Sequence, residues 1–253
     1  MATAFKKFTL LFLLCLSLFS CKDEEYITTK ILGQNIAIDS STVSKQAISK
    51  IIAPYKKQMV KEMNTVISYT SKDLTRTDGM LESSLGNLLA DLTYERANPI
   101  FKKQTGKSID FSLFNFGGIR AGIPAGNVTN KHAFQLMPFE NMLVVVELSG
   151  KKMDALISYL IKNNAAHPLS EHIQLTVTKK GYELRINNKT YDKSKSYFVL
   201  TSDYLQSGGD NMTFFKDPLQ KISLDYKMRD AIIDYFKSVD TLQSNLDQRF
   251  IKK

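Results

Sequence analysis

Tryptophan is absent from this 253-residue sequence, and cysteine and histidine are scarce, with two and three residues respectively. Cys15 lies in an apolar N-terminal stretch, so a chain that had lost this stretch would keep only Cys21 and could form no internal disulfide. The three histidines, His132, His167 and His172, do not occur in Asp-x-His, Gly-Asn-His or His-x-His arrangements. Because metal centres need clustered ligands of this kind, we expect neither a metal site nor metal-dependent catalytic residues in this chain.

Long apolar runs are also lacking, since the longest, residues 8–19, falls short of the roughly 20 residues that a membrane-spanning helix needs. Lys6 and Lys7 precede this run, as in a secretory signal, and we expect residues 1–20 to be a signal peptide. The run ends in Leu-Phe-Ser-Cys, which resembles a bacterial lipobox and predicts lipidation of Cys21. The alternative is an ordinary signal peptide followed by a chance cysteine.

The location predicted from this N-terminus is outside the cytoplasm. A lipid on Cys21 would anchor an exported chain to the cell envelope, in the outer membrane. The acidic segment Lys22–Glu25 resembles a signal that sends some lipoproteins to the cell surface, although it is equally compatible with a solvated linker.

Arginine-rich stripes and aromatic-interleaved basic patches are missing, although the formal net charge is +9. The lysines are scattered along the sequence, so we expect no nucleic-acid partner. A mildly basic surface can still steer anionic small molecules towards the protein.

Hydrophobic periodicity predicts one mixed α/β (α+β) domain over residues 44–253, preceded by a polar tether at residues 21–43. The predicted helices begin near Ser44, with Pro54 kinking or dividing the first, and also cover Leu81–Asn98 (ended by Pro99), Lys151–Ile161 and Asp225–Val239. The predicted strands are Thr65–Tyr69, Ile109–Phe116, Met142–Leu148, Ile173–Thr178, Tyr182–Ile186 and Tyr197–Thr201.

The segment ESSLGNLLAD places Glu82, Gly86 and Asn87 at the start of the second helix. A helix N-terminus offers free amide groups to an anion. The alternative is a capped helix whose glycine allows close packing.

The segment NFGGIRA follows a buried strand, at a position where open α/β sheets bind ligands. Asn115 carries donors and an acceptor, Gly117 and Gly118 permit a sharp turn, and the Arg120 guanidinium suits phosphate. A turn beside a surface arginine would give the same pattern.

Two further segments supply aromatic rings. Phe139 follows a proline in MPFEN and could stack on a planar base, or lie in the core. In YLQSGGD, Tyr204 offers a second ring, Gly208 and Gly209 let the backbone approach a ligand, and Asp210 could accept both ribose hydroxyls. A glycine-rich turn with an Asx cap is the alternative for this segment.

Four segments resemble the C-terminal domain of the 5'-nucleotidase family in residue sequence, order and spacing. They are ESSLGNLLAD, NFGGIRA, PFENMLVVVELSG and YLQSGGD. The resemblance covers residues 44–240 and implies that domain's fold, a mixed sheet flanked by helices. It implies that two aromatic rings sandwich the base, one acid binds the ribose, one asparagine contacts the base, and further polar residues lie near the phosphate. The substrate-binding residues so predicted are Asn115, Gly117, Gly118, Arg120, Phe139, Asn141, Tyr204, Gly208, Gly209 and Asp210.

The sequence departs from the family pattern at two places. The family usually carries a further arginine just before its ES-x-LGNL segment, where this chain has Met80 and Leu81, with Arg76 several residues upstream. Residues 167–172 also differ from the usual Ser-Gly turn near the base pocket.

The resemblance further implies that catalysis belongs to a separate N-terminal domain with two divalent metals, so we expect no catalytic residue and no cofactor in this chain. The leading hypothesis is the nucleotide-binding half of a split 5'-nucleotidase, completed by a separate metallophosphatase chain that holds the metals. A surface lipoprotein that captures nucleosides without catalysis is the main alternative. A structural lipoprotein with a decayed pocket is a third.

Overall fold

The computed structural model describes residues 27–253, so the predicted signal peptide and Cys21 lie outside the described residues. It divides into two units at Lys50/Ile51. The described part of the predicted tether, residues 27–43, contains no helix or strand, and its residues are exposed. The second unit, residues 51–253, contains the sheets and the hydrophobic core.

Helices and strands alternate irregularly along the chain. The helices are α1 (Gln46–Met63), α2 (Ser84–Thr105), α3 (Asn130–Leu136), α4 (Gly150–Asn163), α5 (Asp203–Gln206) and α6 (Met228–Ser238). The strands are β1 (Val66–Thr70), β2 (Phe111–Ser112), β3 (Gly126–Thr129), β4 (Met142–Leu148), β5 (Ile173–Thr178), β6 (Gly181–Ile186), β7 (Lys189–Thr190), β8 (Tyr197–Ser202), β9 (Gln220–Lys227) and β10 (Phe250–Lys252). Short 3₁₀ turns cover Phe116–Gly118, Gly209–Asn211 and Thr213–Phe215.

The central sheet has the strand order β2-β8-β4-β9. Strand β2 is parallel to β8, whereas β4 is antiparallel to both β8 and β9. Val145 of β4 lies opposite Leu200 on one side and Ile222 on the other. A second sheet, β10-β5-β6-β7, also combines parallel and antiparallel pairs, and β1 pairs with β3. The predicted mixed α+β architecture is therefore confirmed.

The core forms around β4 and α2. Most of the MLVVVEL run of β4 is buried, as expected for a strand covered on both faces. Helix α2 buries its leucines together with Ala97 and Phe101. Each fully buried leucine contributes roughly 1.5–3 kcal/mol by leaving water, so this helix is a main source of stability.

The structure corrects the predicted end of helix α2, which continues through Pro99 to Thr105. Ala97 and Phe101, on either side of the proline, are fully buried, and this packing offsets the hydrogen bond that proline cannot donate. The helix ends where Gly106 adopts the left-handed conformation, with φ of 73°, and donates to the Lys102 carbonyl.

Two other predicted boundaries were wrong. The predicted strand at residues 109–116 forms a regular strand only over Phe111–Ser112, followed by a single bridge from Leu113 to Leu169. Its C-terminal part enters the 3₁₀ turn at residues 116–118. The last helix begins at Met228 instead of Asp225, because the preceding residues belong to β9. Strand β9 pairs with the buried strand β4, a long-range contact that its own sequence pattern does not reveal.

Helix α1 forms where the sequence predicts it, with Pro54 inside it, yet it contains no buried residue. Ile51, Ile52, Tyr55 and Met59 remain largely exposed. Within residues 27–253, none of the helices combines the length and the apolar character needed to cross a membrane.

Candidate functional site

Three loops meet at one edge of the central sheet and enclose a cavity of about 260 Å³. The loops after the parallel strands β2 and β8 emerge at this edge, together with the loop before the antiparallel strand β4. The cavity is lined by Asn115, Gly117, Gly118, Arg120, Phe139, Asn141, Tyr204 and Asp210. The fold thus brings together eight of the ten residues predicted to bind substrate.

Asp210 accepts hydrogen bonds from three side chains around the cavity. Its backbone is left-handed, with φ of 51°, and its main-chain oxygen accepts a hydrogen bond of 2.9 Å from the Tyr159 hydroxyl. The Asn115 amide donates to Oδ2 at 2.6 Å, and the Tyr204 hydroxyl donates to Oδ1 at 2.9 Å. This hydrogen bond to Asp210 raises the pKa of Tyr204, so the phenol stays a neutral donor.

Gly208 and Gly209 lie outside the cavity lining, but they shape the loop that carries Asp210. Gly208 has a φ of 95°, a conformation that favours glycine. A Cβ atom on Gly209 would lie 2.5 Å from the Tyr204 ring. Their predicted role in approaching a ligand directly stays a prediction, whereas the contact geometry explains why the Tyr204 ring needs a glycine beside it.

The two predicted aromatic rings are both accessible. Phe139 is 41% exposed and Tyr204 is 44% exposed, so neither is a core residue. The Arg120 guanidinium carbon lies 5.9 Å from the centre of the Phe139 ring, and its Nη1 donates to the Gly117 carbonyl at 3.4 Å. Exposed rings in a cavity can stack on a planar group, and an adjacent guanidinium can bind an anion attached to it.

Arg229 fixes the loop carrying Phe139, a role that none of the sequence motifs predicts. Arg229 is buried at the start of α6, and its Nη1 donates to the carbonyls of Met137 and Phe139 at 3.4 and 3.3 Å. It also pairs with Glu140 and lies over the Phe134 ring at 4.5 Å. Its one sequence signal is an arginine within the apolar pattern of a helix start, which does not identify its partners.

His167, which lies where the sequence departs from the family pattern and is not expected to bind a metal, supports the loop that carries Asn115. It is buried, and its Nδ1 accepts a hydrogen bond from the Phe116 amide at 3.1 Å, while Nε2 lies 3.2 Å from the Asn163 side-chain nitrogen. Burial lowers the pKa of His167 to about 4, and the negative charge of Asp210 opposes this only in part. The imidazole is therefore neutral at pH 7, which leaves Nδ1 free to accept.

Arg76 supports the same turn from another side. Its guanidinium lies 4.6 Å from the centre of the Phe116 ring, and its Nη1 donates to the Ile119 carbonyl at 2.6 Å. Arg76 does not line the cavity, so the guanidinium that reaches into it belongs to Arg120.

The ESSLGNLLAD segment forms a capped helix start, in agreement with the structural alternative considered for it. The Ser83 hydroxyl accepts from the Gly86 amide at 3.1 Å. The Glu82 carboxylate is buried and accepts from the Asn87 side chain at 2.9 Å and from the amides of Asp247 and Gln248 at 3.1 and 2.8 Å. This motif therefore ties down the C-terminal segment and does not line the cavity.

Among residues 27–253, no three His, Cys, Asp or Glu side chains converge in a way that could hold a metal ion. His132 Nδ1 accepts from the Thr129 amide at 2.9 Å, and the His172 ring stacks on Tyr94 at 3.7 Å. Each of the three histidines thus contacts a residue that it supports or packs against.

Comparison with known proteins relates this architecture to one family. A family model described as 5'-nucleotidase, C-terminal domain, matches residues 62–217, which is more than half of the chain. The chain is 28% identical over 212 residues to the trifunctional nucleotide phosphoesterase YfkN of Bacillus subtilis, covering 76% of this chain and 14% of that protein. It is 27% identical over 185 residues to a 5'-nucleotidase of Vibrio vulnificus, covering 70% of this chain and 32% of that protein.

Solved structures show the same fold. A 5'-nucleotidase precursor from Thermus thermophilus superimposes with a TM-score of 0.64 at 22% identity, covering 82% of this chain and 43% of that one. The NAD nucleotidase of Haemophilus influenzae gives a TM-score of 0.56 at 18% identity, covering 83% and 42%. The chain thus spans less than half the length of these relatives.

Proposed function

The chain belongs to the 5'-nucleotidase C-terminal domain family, and from this premise we propose that its cavity binds a nucleotide or nucleoside. The observation that carries the proposal is the convergence of eight predicted residues, from three separate loops, on one cavity. Family membership alone does not require these residues to line the same cavity, as they do here.

Each part of a nucleotide has a chemically suitable counterpart in the cavity. The exposed rings of Phe139 and Tyr204 can stack on a base, with roughly 1–3 kcal/mol per ring. Asn141 lines the same cavity and has an amide for a base edge, while Asp210 offers carboxylate oxygens to ribose hydroxyls. Arg120 provides the charge for a phosphate.

We also propose that phosphate-ester hydrolysis requires a separate metallophosphatase chain. The described residues form no metal-ligand cluster, and the family match lies in the C-terminal domain. In this proposal the present chain binds and orients the nucleotide, while the partner supplies the divalent metals. Asn115 and Arg120 lie in the cavity, where they can meet a phosphate presented to such a partner. No step of the hydrolysis is assigned to residues of this chain.

The proposal includes an extracytoplasmic location, with Cys21 lipidated and the chain anchored in the outer membrane. If the acidic Lys22–Glu25 segment acts as an export signal, the chain faces the cell surface. Metabolic labelling with a radioactive fatty acid tests the anchor. Label should be incorporated into the wild type and should be absent from Cys21→Ser.

The direct test of binding is calorimetric titration of the unlipidated chain with AMP and with adenosine. Phe139→Ala and Tyr204→Ala should each weaken binding. Tyr182→Ala is a matched control, because Tyr182 is 43% exposed, like Tyr204, but does not line the cavity. If the wild type binds neither ligand, or if Tyr182→Ala weakens binding as much as Tyr204→Ala, the proposed function is wrong.

The contacts of Arg76 favour keeping nucleoside capture as a second candidate. Its guanidinium is engaged with Phe116 and Ile119, which leaves Arg120 as the cationic side chain of the cavity lining. Equal affinity for adenosine and AMP would indicate nucleoside capture, and a clear preference for AMP would indicate a nucleotidase half. For the latter, AMP hydrolysis with Mn²⁺ should arise only when a metallophosphatase chain is added.

A further inference from the structure

We propose that Tyr204 is a specificity-determining residue, whose hydroxyl positions the Asp210 carboxylate to select ligands with two neighbouring hydroxyl groups. This inference rests on the proposed binding of a nucleoside or nucleotide. It assigns a role to the phenolic hydroxyl, which is separate from any stacking by the ring.

The Asp210 carboxylate keeps acceptor positions that Asn115 and Tyr204 do not fill. An ionised carboxylate has about four acceptor positions, two on each oxygen. In Asp210, the Asn115 amide occupies one position on Oδ2 and the Tyr204 hydroxyl occupies one on Oδ1. One position is left on each oxygen, and two acceptors on adjacent oxygens match the two hydroxyls of a vicinal diol.

The orientation of the carboxylate is fixed from both sides. The Asn115 side chain packs closely on the Gly118 backbone, where an added Cβ atom would lie 2.7 Å from its Oδ1. The Tyr204 ring packs equally closely on the Gly209 backbone, where an added Cβ atom would lie 2.5 Å from it. Both hydrogen bonds to the carboxylate are thus already formed in the chain without a ligand, which reduces the ordering that binding requires.

The space beside Oδ2 is left open by Gly117, where a Cβ atom would lie 3.5 Å from this oxygen and within ordinary contact distance. A hydroxyl can therefore approach the carboxylate from the Gly117 side. A ligand with a single hydroxyl would satisfy one of the two remaining positions, and a ligand with two would satisfy both.

The experiment compares adenosine, 2'-deoxyadenosine and 3'-deoxyadenosine by calorimetry, using wild type, Tyr204→Phe, Asp210→Asn and the double variant. The wild type should prefer adenosine by about tenfold or more, as expected for loss of a hydrogen bond to a charged group. Tyr204→Phe keeps the ring, so it should weaken adenosine binding by about three- to tenfold and the deoxynucleosides much less. In the Asp210→Asn background, Tyr204→Phe should change nothing further.

Tyr182→Phe serves as the control for loss of an exposed phenol outside the cavity. If Tyr204→Phe leaves the ratio of adenosine to deoxyadenosine affinity within twofold of the wild-type ratio, the ring acts by stacking alone and the inference is overturned. An equal loss for all three nucleosides would also overturn it, since that outcome indicates a general structural effect. Wild-type chain that binds none of them would instead refute the proposed function, on which the inference depends.

Discussion

Two segments with similar polar side chains have different environments in the structure. They are Glu82–Asn87, which is buried, and Asn115–Arg120, which lies at the cavity. The Glu82 carboxylate is buried, and its acceptors are filled by Asn87 and by backbone amides of the C-terminal segment. Asn115 and Arg120 instead line a cavity open to solvent. The first segment has its partners within the chain, whereas the second keeps part of its hydrogen-bonding capacity for a ligand.

This difference teaches that a polar motif shared with a family of binding proteins is not necessarily a binding motif. What distinguishes the two segments is whether the rest of the chain satisfies their polar groups. Changes in the Glu82 segment should therefore affect the free energy of unfolding, and changes in the Asn115 segment should affect ligand affinity.

The largest effect of a substitution is expected for Glu82→Ala, which removes the acceptor of two backbone amides and one of the two acceptors of the Asn87 side chain. The free energy of unfolding should fall by about 2 to 3 kcal/mol, because one buried and two partly buried donors lose a hydrogen bond to a carboxylate. Urea unfolding measures the loss, with Glu183→Ala on the exposed face of β6 as the control. Nucleoside affinity of the folded variant should be unchanged, and a variant with weakened affinity but normal stability would break the comparison.

His167 shares a property with each segment. It is buried like Glu82, and its hydrogen bond to the Phe116 amide supports the loop that carries Asn115. Its pKa is lowered from 6.5 to about 4 in the folded chain, so the unfolded chain binds the proton more readily. Stability from this residue is fully present above pH 6.5 and falls by about 3 kcal/mol as the pH drops from 6.5 to 4.

The measurement for His167 is urea unfolding at several pH values, compared with His167→Asn. Asparagine offers an acceptor near the position of Nδ1 but does not titrate. The difference in stability between the two proteins should therefore change over this pH range, while other titrating groups cancel. A constant difference between pH 7 and 4 would contradict the assigned role of His167.

Phe139→Ala should affect ligand affinity and not the free energy of unfolding. Because the ring is exposed in the cavity, its loss should weaken adenosine binding by about 2 kcal/mol and leave stability within about 0.5 kcal/mol. Calorimetry and urea unfolding of the same sample give both quantities. A destabilised variant with normal affinity would mean that Phe139, like Glu82, stabilises the fold and does not bind the ligand.

The smallest effect is expected for Arg120→Ala, which removes the cationic side chain of the cavity lining. Binding of AMP should weaken by about 1 kcal/mol, with adenosine binding unchanged, because only the phosphate needs the charge. The ratio of the two affinities is the measured quantity. Equal losses for both ligands would mean that Arg120 acts on the loop and not on the phosphate.

The sequence predicted much of the fold where the signals are local. Strand β4 follows from its continuous apolar run, and the β5–β6 hairpin follows from alternation around Lys180 and Gly181. The end of α2 was misplaced, since burial of Ala97 and Phe101 overrides the local effect of Pro99. Strand β9 was missed because its pairing with β4 stabilises it from a distance.

The site was predicted residue by residue, mainly through the resemblance of four ordered motifs, but its supporting residues were not. Arg229 contacts the Phe139 carbonyl across 90 positions, and His167 contacts the Phe116 amide across 51. Their sequence neighbourhoods give no sign of these partners. The apolar stripe of α1 likewise predicted a helix, but periodicity could not reveal that the stripe stays exposed.

By itself, the sequence determined the helices and strands with strong local periodicity, the order of the motifs and the chemistry available to the cavity. Only the tertiary structure decided which polar motif forms its hydrogen bonds within the chain and which lines the cavity. It also decided that Asn115 and Tyr204 share the Asp210 carboxylate. The physical reason is that a hydrogen bond depends on distance and direction in space, and residues 95 positions apart acquire these only when the sheet and its loops are assembled.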